Sequence, residues 1–304
     1  MKHILDLKLG EKQAALWFLG QAGYVARAGG LARRSLGGGA VTLAIDPYLT
    51  DSVGKSAPSF SRRIPVPIEP EELEVDVFIV THDHLDHLDP ETIQRYRHRA
   101  TTAFVAPRFA ARKLADLGVP EQVITKIDVG ETAQVKGIDI TGVFALPTGP
   151  DALDTCGYLV RFPNGRSFYH ASDTAFCELL LKAAPRPALS PSAALRANSA
   201  EGAEVLLVPI NGKWGNLDVE EAMALTAAVK PRYVLPNHYD LMALNSENPE
   251  TFRHFWNARR LPTECVVAEI MQPFVWGAAK RGGRAASGGC TTGAGPARAR
   301  ERRA

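Results

Sequence analysis

Apolar residues along this chain come in short unbroken runs separated by glycine, proline and charged residues. AALWFLG and YVARAGG lie near the start, followed by VTLAIDPYLTD, VDVFIV (75–80), GIDITGVFAL, GYLVRFP, RSFYHAS, EVLLVPI, PRYVLPNHYD and ECVVAEI. Runs this short, rich in β-branched and aromatic residues, predict buried strands. The first two predict a hairpin, the Asn-Gly pair between GYLVRFP and RSFYHAS predicts a second tight one, and ECVVAEI is expected to be the last strand. Helical spacing appears between them. FAARKLADLG (Phe109–Gly118) predicts a helix closed by Gly118. LDVEEAMALTAAVK predicts one opened by a capping box from Asp218 to Glu221. DPETIQRY predicts a helix start with Asp89 as N-cap and Pro90 in the first helical position.

Two stretches break this alternation. GGLARRSLGGGA (Gly29–Ala40) lacks the Lys-Ser/Thr ending and following helix of a phosphate cradle, so it is expected to be a long loop. PRPALSPSAALRANSAEG (Pro185–Gly202) is expected to be a surface insertion. The last segment, 278–304, has too little apolar content to fold and is expected to be a disordered basic tail behind a domain spanning 1–277.

Composition changes this picture little. With 304 residues and 45% hydrophobic content the chain can bury a large core. The formal charge of +2 is unevenly spread, because the tail carries +6 and leaves −4 for the rest. The folded part is therefore mildly acidic, which argues against a nucleic-acid partner. Four scattered cysteines without a C-x-x-C pair fit a reduced cytoplasmic protein. No signal-peptide pattern or membrane-length apolar run is present, so no membrane partner is expected.

The chemistry concentrates in VTHDHLDHLDP (Val80–Pro90), on the predicted strand-to-helix turn. In an extended segment alternate side chains share a face, which puts His82 and His84 together and Asp83 away from them. Asp86 and His87 can approach the same point as the chain turns into the helix. Imidazoles and a carboxylate at this density suit Zn²⁺, Mn²⁺ or Fe²⁺ better than Ca²⁺. Further ligands must come from elsewhere. YHASDT offers His170 and Asp173, and PNHYD offers His238 and Asp240, both at predicted strand ends.

THDHLDH matches the H-x-H-x-D-H signature, and the chain here resembles the metallo-β-lactamase superfamily. WFLGQAGY, IDPYLTDSVGK, GVPEQVITKIDVGE, FYHASDT and LPNHYD make it most similar to the branch containing L-ascorbate-6-phosphate lactonase. The resemblance implies an α/β fold, a four-layer αββα sandwich, with the site in loops at one edge. It assigns His82 and His84 to a first metal and Asp86, His87 and His238 to a second, with Asp173 bridging and one or two ions bound. His170 is assigned to support Asp173 or to serve as a buried structural histidine. Most members carry a further histidine where this chain reads GIDITGVFALPTGPDALDTCGYLV, which has none. Thr148, Asp151, Asp154 or a water is left to take its place.

The expected activity is hydrolysis of a lactone or ester, such as a sugar-phosphate lactone, by a metal-activated water, with Asp86 and Asp173 as catalytic carboxylates. Lys213 is a candidate for binding a substrate phosphate or carboxylate, and Trp214 for stacking on a ring. Cys156 and Cys177 lie near the site without a base and read as small apolar residues. The same metals on the same fold could instead cleave a phosphodiester, and a protein that has lost a ligand could bind metal without catalysis. A small-molecule substrate is expected, and homo-oligomerisation is left open.

Overall fold

The computed structural model describes residues 1–30, 40–186 and 202–277. The glycine-rich loop, the 185–202 insertion and the basic tail expected from the sequence lie wholly or largely outside the described residues.

Fourteen described strands form two seven-stranded mixed sheets. In the first, β1 (Ala14–Gly20), β2 (Gly23–Ala28) and β3 (Val41–Ile45) run antiparallel. Then β4 (Val77–Ile79), β5 (Ala103–Ala106) and β6 (Ile124–Lys126) continue parallel to β3. In the second, β7 (Thr132–Val135), β8 (Ile138–Phe144), β9 (Cys156–Arg161) and β10 (Ser167–His170) form an antiparallel meander. From β10 the sheet continues in parallel through β11 (Val205–Pro209), β12 (Tyr233–Asn237) and β13 (Glu264–Cys265). A strand the sequence reading missed, β14 (Pro273–Trp276), returns to pair with β1. Glu264–Cys265 is therefore not the last strand. The proline, glutamine and single apolar triplet of MQPFVW carry no clear alternation, so pairing with β1 alone makes this segment a strand.

The helices form the two outer layers. Buried on the first sheet are α1 (Lys2–Asp6), α3 (Pro90–Arg95) and α4 (Arg108–Asp116), with α2 (Ser52–Ser56) beyond them near the sheet edge. Against the second lie α5 (Glu178–Ala183), α6 (Val219–Val229) and α7 (Pro249–Ala258). Alternation along β1 shows how one strand serves two cores. Leu16 and Phe18 face the second sheet, whereas Ala15, Trp17 and Leu19 face the helices. With both faces covered, a strand has no reason to alternate apolar with polar residues. This is why the sequence shows runs. The expected four-layer αββα sandwich is the observed architecture.

Local signals act as their chemistry requires. The Asp89 side chain accepts from Glu91 N at the start of α3. Asp218 and Glu221 close a reciprocal capping box on α6. No described helix is long and apolar enough to cross a membrane. Since β3 and β4 run parallel, as do β10, β11 and β12, their carboxyl ends open onto the same edge of the sandwich. The turns leaving those strands carry the residues described next.

Candidate metal centre

Each side chain of the cluster sits one to eight residues beyond a strand end. His82, His84, Asp86 and His87 follow β4, Asp173 follows β10 and His238 follows β12. Parallel pairing aligns these ends, so segments distant in the chain converge. Ser172 and His238 have left-handed backbones, with φ of 64° and 62°, which turn the chain sharply out of each strand.

Two groups of ligand-type atoms form, His82, His84 and Asp173 in one and His87, Asp173 and His238 in the other. Within each, the atoms lie within 4.8 Å of one another. Asp173 belongs to both. His82 Nε2 is 2.9 Å from His84 Nδ1. Asp173 Oδ1 is 2.7 Å from His238 Nε2 and 3.3 Å from His87 Nε2. Despite these distances, His87 Nε2, His238 Nε2 and Asp173 Oδ1 are buried without a hydrogen-bond partner. Buried polar atoms are rarely left so, because desolvation without a partner is costly. Three such atoms close together, on two imidazoles and a carboxylate, fit a divalent cation.

The electrostatics agree. Burial lowers the His82 pKa well below its ordinary value, and the neighbouring His87, His84 and His238 lower it further. Burial pulls His87 down too, but the carboxylates of Asp173, Asp86 and Asp46 outweigh it, and its pKa lies well above the usual histidine range. Burial would raise Asp173, yet His238 and His87 hold it well below the usual carboxylate range. Asp173 therefore stays ionised in a buried site, which needs positive charge close by.

Asp86 stands beside the second group, with Oδ1 3.9 Å from His87 Nε2 and Oδ2 accepting from Gln21 Nε2 at 2.9 Å. It also lines an open cleft of about 660 Å³ that reaches Asp173 and His84 at its floor.

Other expected residues have different places. Asp154 Oδ2 accepts from Phe109 N at the start of α4, and the residue belongs to neither ligand group. Asp151 Oδ2 lies 3.4 Å from His84 Nε2, on the opposite side of that ring from the Nδ1 that faces His82. It belongs to neither ligand group. Thr148 lines the cleft. His170 does not touch the Asp173 carboxylate. Its Nδ1 accepts from Ser172 N at 3.0 Å, so Nε2 carries the proton and donates to Ala22 O at 2.9 Å. It is a buried structural histidine that fixes the turn before Asp173. Lys213 Nζ donates to Ser246 O at 2.6 Å, and the residue is not among those lining the cleft. Asp240 is exposed and belongs to neither group. Cys156 is buried with its thiol pushed up to about 12 by burial, which makes it inert, and Cys177 is half-buried.

A sequence-family model described as a β-lactamase superfamily domain matches residues 42–239, which includes every residue of both groups. The chain belongs to the metallo-β-lactamase superfamily. A metal-dependent hydrolase from Thermoplasma acidophilum is 29% identical over 239 residues, covering 75% of this chain and 88% of that protein. One from Thermococcus kodakarensis is 27% identical over 243 residues, covering 77% and 91%. Among solved structures, a metallo hydrolase from Ignicoccus hospitalis superposes with a TM-score of 0.64 at 20% identity. That match covers 88% of this chain and all of the other, and at such identity it speaks to the fold alone.

Four residues of this metallo-β-lactamase superfamily member escaped the sequence reading. Asp46, at the end of β3 with a left-handed φ of 45°, accepts from Thr81 N and Thr81 Oγ1 and lies 2.7 Å from His87 Nδ1. The His87 proton is thereby held on Nδ1, leaving Nε2 to face Asp173. Thr81 Oγ1, having given its own hydrogen to Asp46, accepts from His82 Nδ1 at 3.0 Å, which leaves His82 Nε2 as the acceptor facing His84 Nδ1. Gln21 bridges Asp86 and His238, its Nε2 lying 2.9 Å from Asp86 Oδ2 and 3.1 Å from His238 Nδ1. Asn216 donates to Asp173 Oδ2 at 2.7 Å, which turns Oδ1 towards the histidines. Only Asp46 left a trace in sequence, as a lone aspartate closing a buried strand. Carboxylates that fix ligand histidines typically govern affinity by about 10–100-fold. Asp46→Asn is accordingly expected to weaken metal binding by that factor in a competition titration, with the fold intact by circular dichroism.

Proposed function

We propose that this chain is a metal-dependent hydrolase that opens a lactone or ester. The observation carrying the proposal is Asp173, which belongs to both ligand groups and lines an open cleft, with its Oδ1 buried and unpartnered. His82, His84 and Asp173 would hold one divalent cation, and His87, Asp173 and His238 the other, with Asp86 beside the second. Nitrogen and oxygen donors without thiolate suit Zn²⁺, Mn²⁺ or Fe²⁺. Such cations supply a water acidified to near neutral pH and positive charge for a developing oxyanion.

The chain's own residues do the rest. Asp173, held through Oδ2 by Asn216, keeps Oδ1 turned towards His87 and His238. Asp86 has Oδ2 fixed by Gln21 and is partly open to the cleft, so it is the carboxylate able to take a proton from the water. In the reaction the water oxygen bonds to the acyl carbon and the ring or ester C–O bond breaks. The proton held on Asp86 then passes to the departing alkoxide, giving a hydroxy acid or an acid and an alcohol.

A phosphodiester is the weaker alternative. Asp83, Asp86, Asp151 and Asp173 line the cleft, and among the described residues Lys113 is its one cationic side chain. Lys113 is itself engaged by Asp83, through its carbonyl at 2.9 Å and its carboxylate at 3.3 Å. A panel of lactones, carboxylic esters and phosphodiesters, assayed on metal-loaded protein with and without chelator, tests the proposal. Chelator-sensitive opening of a lactone or ester is the expected result. Turnover confined to phosphodiesters, or turnover that survives metal removal, would overturn it.

A further inference from the structure

The geometry points to a specificity surface at the mouth of the cleft that selects an uncharged substrate bearing an aromatic group, with Trp214 as its platform. The inference deepens the hydrolase reading and rests on it for the reaction, though not for binding.

Trp214 is 63% exposed, whereas Trp17, Trp256 and Trp276 are buried to within 2%. Exposing the largest apolar side chain leaves its hydrophobic burial unrealised. Its backbone is also in an unfavourable region. Asn216 N donates to Lys213 O at 3.0 Å, closing a four-residue turn whose central residues Trp214 and Gly215 have φ of 57° and 87°. Left-handed φ at both central positions is the pattern of a type I′ turn, which favours asparagine, aspartate or glycine and disfavours a bulky residue. An exposed tryptophan in a strained turn is retained against both preferences.

The turn is anchored so that the ring cannot simply fold away. Lys213 Nζ is tied to Ser246 O. Gly215 lies so close to the opposite lip that a Cβ there would sit 2.5 Å from Thr148 O. Asn216, closing the turn, donates to Asp173. The element presenting Trp214 thus also holds the shared carboxylate, which couples substrate contact to the reacting floor.

The surroundings define the ligand. Trp214 lies against half-buried Phe60, with ring centroids 5.5 Å apart at 52°. Val53, Leu85 and Met242 complete an apolar wall, and Asn245 adds a neutral polar group. On the same cleft the acidic residues outnumber Lys113, which Asp83 already engages. A phosphorylated sugar ring would meet apolar walls and carboxylates away from the floor. An aromatic substituent would stack on Trp214 and Phe60 while its ester or lactone carbonyl reached the floor.

Two readouts test this. For opening of γ-phenyl-γ-butyrolactone against γ-butyrolactone, the expected preference in kcat/KM is at least about tenfold for the phenyl compound, or about 1.4 kcal/mol. Trp214→Ala should abolish most of it through KM, and Trp214→Phe should restore much of it. Equal selectivity in the native chain and Trp214→Ala would overturn the proposal. If neither lactone were opened, the hydrolase reading would suffer, and binding would still decide this one. Acetanilide should change the tryptophan emission of the metal-loaded protein saturably, and the change should vanish in Trp214→Phe. No response to acetanilide, or tighter binding of glucose 6-phosphate than of acetanilide, would sink it.

Discussion

Asp173→Ala is expected to abolish hydrolysis and lower metal content below one ion per chain, because this single side chain serves both ligand groups. Losing an outer partner of a ligand typically costs about 10–100-fold in affinity or activity. Losing the side chain common to both groups should cost more than that in kcat/KM. The side chain is 8% exposed, and Asn216 donates to its Oδ2, which holds Oδ1 towards His87 and His238. Metal analysis by mass spectrometry, paired with the hydrolase assay, checks the result. Full metal content in the variant would mean that the two groups do not share Asp173 as proposed.

Metal removal is expected to lower the melting temperature by ~10 °C. At a free ion concentration about 1,000 times Kd, binding to the native state alone contributes about 4.1 kcal/mol. For a domain of this size each kcal/mol shifts the midpoint by roughly 2–4 °C. The increment should also grow with pH. In chelated protein the raised pKa of His87 contributes stability that is fully present below the ordinary histidine value of 6.5. That contribution is lost as pH rises through the folded value. Bound metal needs the same ring deprotonated on the facing nitrogen, so its stabilisation strengthens in the direction where the protonated ring's fades. Scanning calorimetry between pH 6 and 8, with and without chelator, measures both. A chelator-insensitive midpoint across that range would show that the buried cluster does not hold an ion.

Much of the layered architecture was legible because burial on both faces of a sheet leaves unbroken apolar runs, as in AALWFLG and EVLLVPI. The caps at Asp89 and Asp218 were legible because a short polar side chain satisfies the amides just beyond it. The strand Pro273–Trp276 was not legible. Its residues have little preference of their own, and they become a strand through pairing with Ala14–Trp17.

The candidate site divides along the same line. His82, His84, Asp86 and His87 stand within six positions of one another, so local spacing alone announced them. Asp173 and His238 were readable through the resemblance, since each by itself is an ordinary polar residue after a strand. The functions of Asp46, Gln21 and Asn216 were invisible, because each acts across the fold on a partner distant in the chain. The tertiary structure likewise places Asp151, Asp154 and His170 outside both ligand groups, and gives Lys213, Asp154 and His170 hydrogen bonds to backbone atoms that their types alone did not foretell. The sequence by itself determined which elements form and which residues have metal-binding chemistry, because those depend on near neighbours and side-chain type. Only the tertiary structure decided which nitrogen of each histidine is free and which carboxylate is shared, because parallel pairing of strand ends sets those contacts.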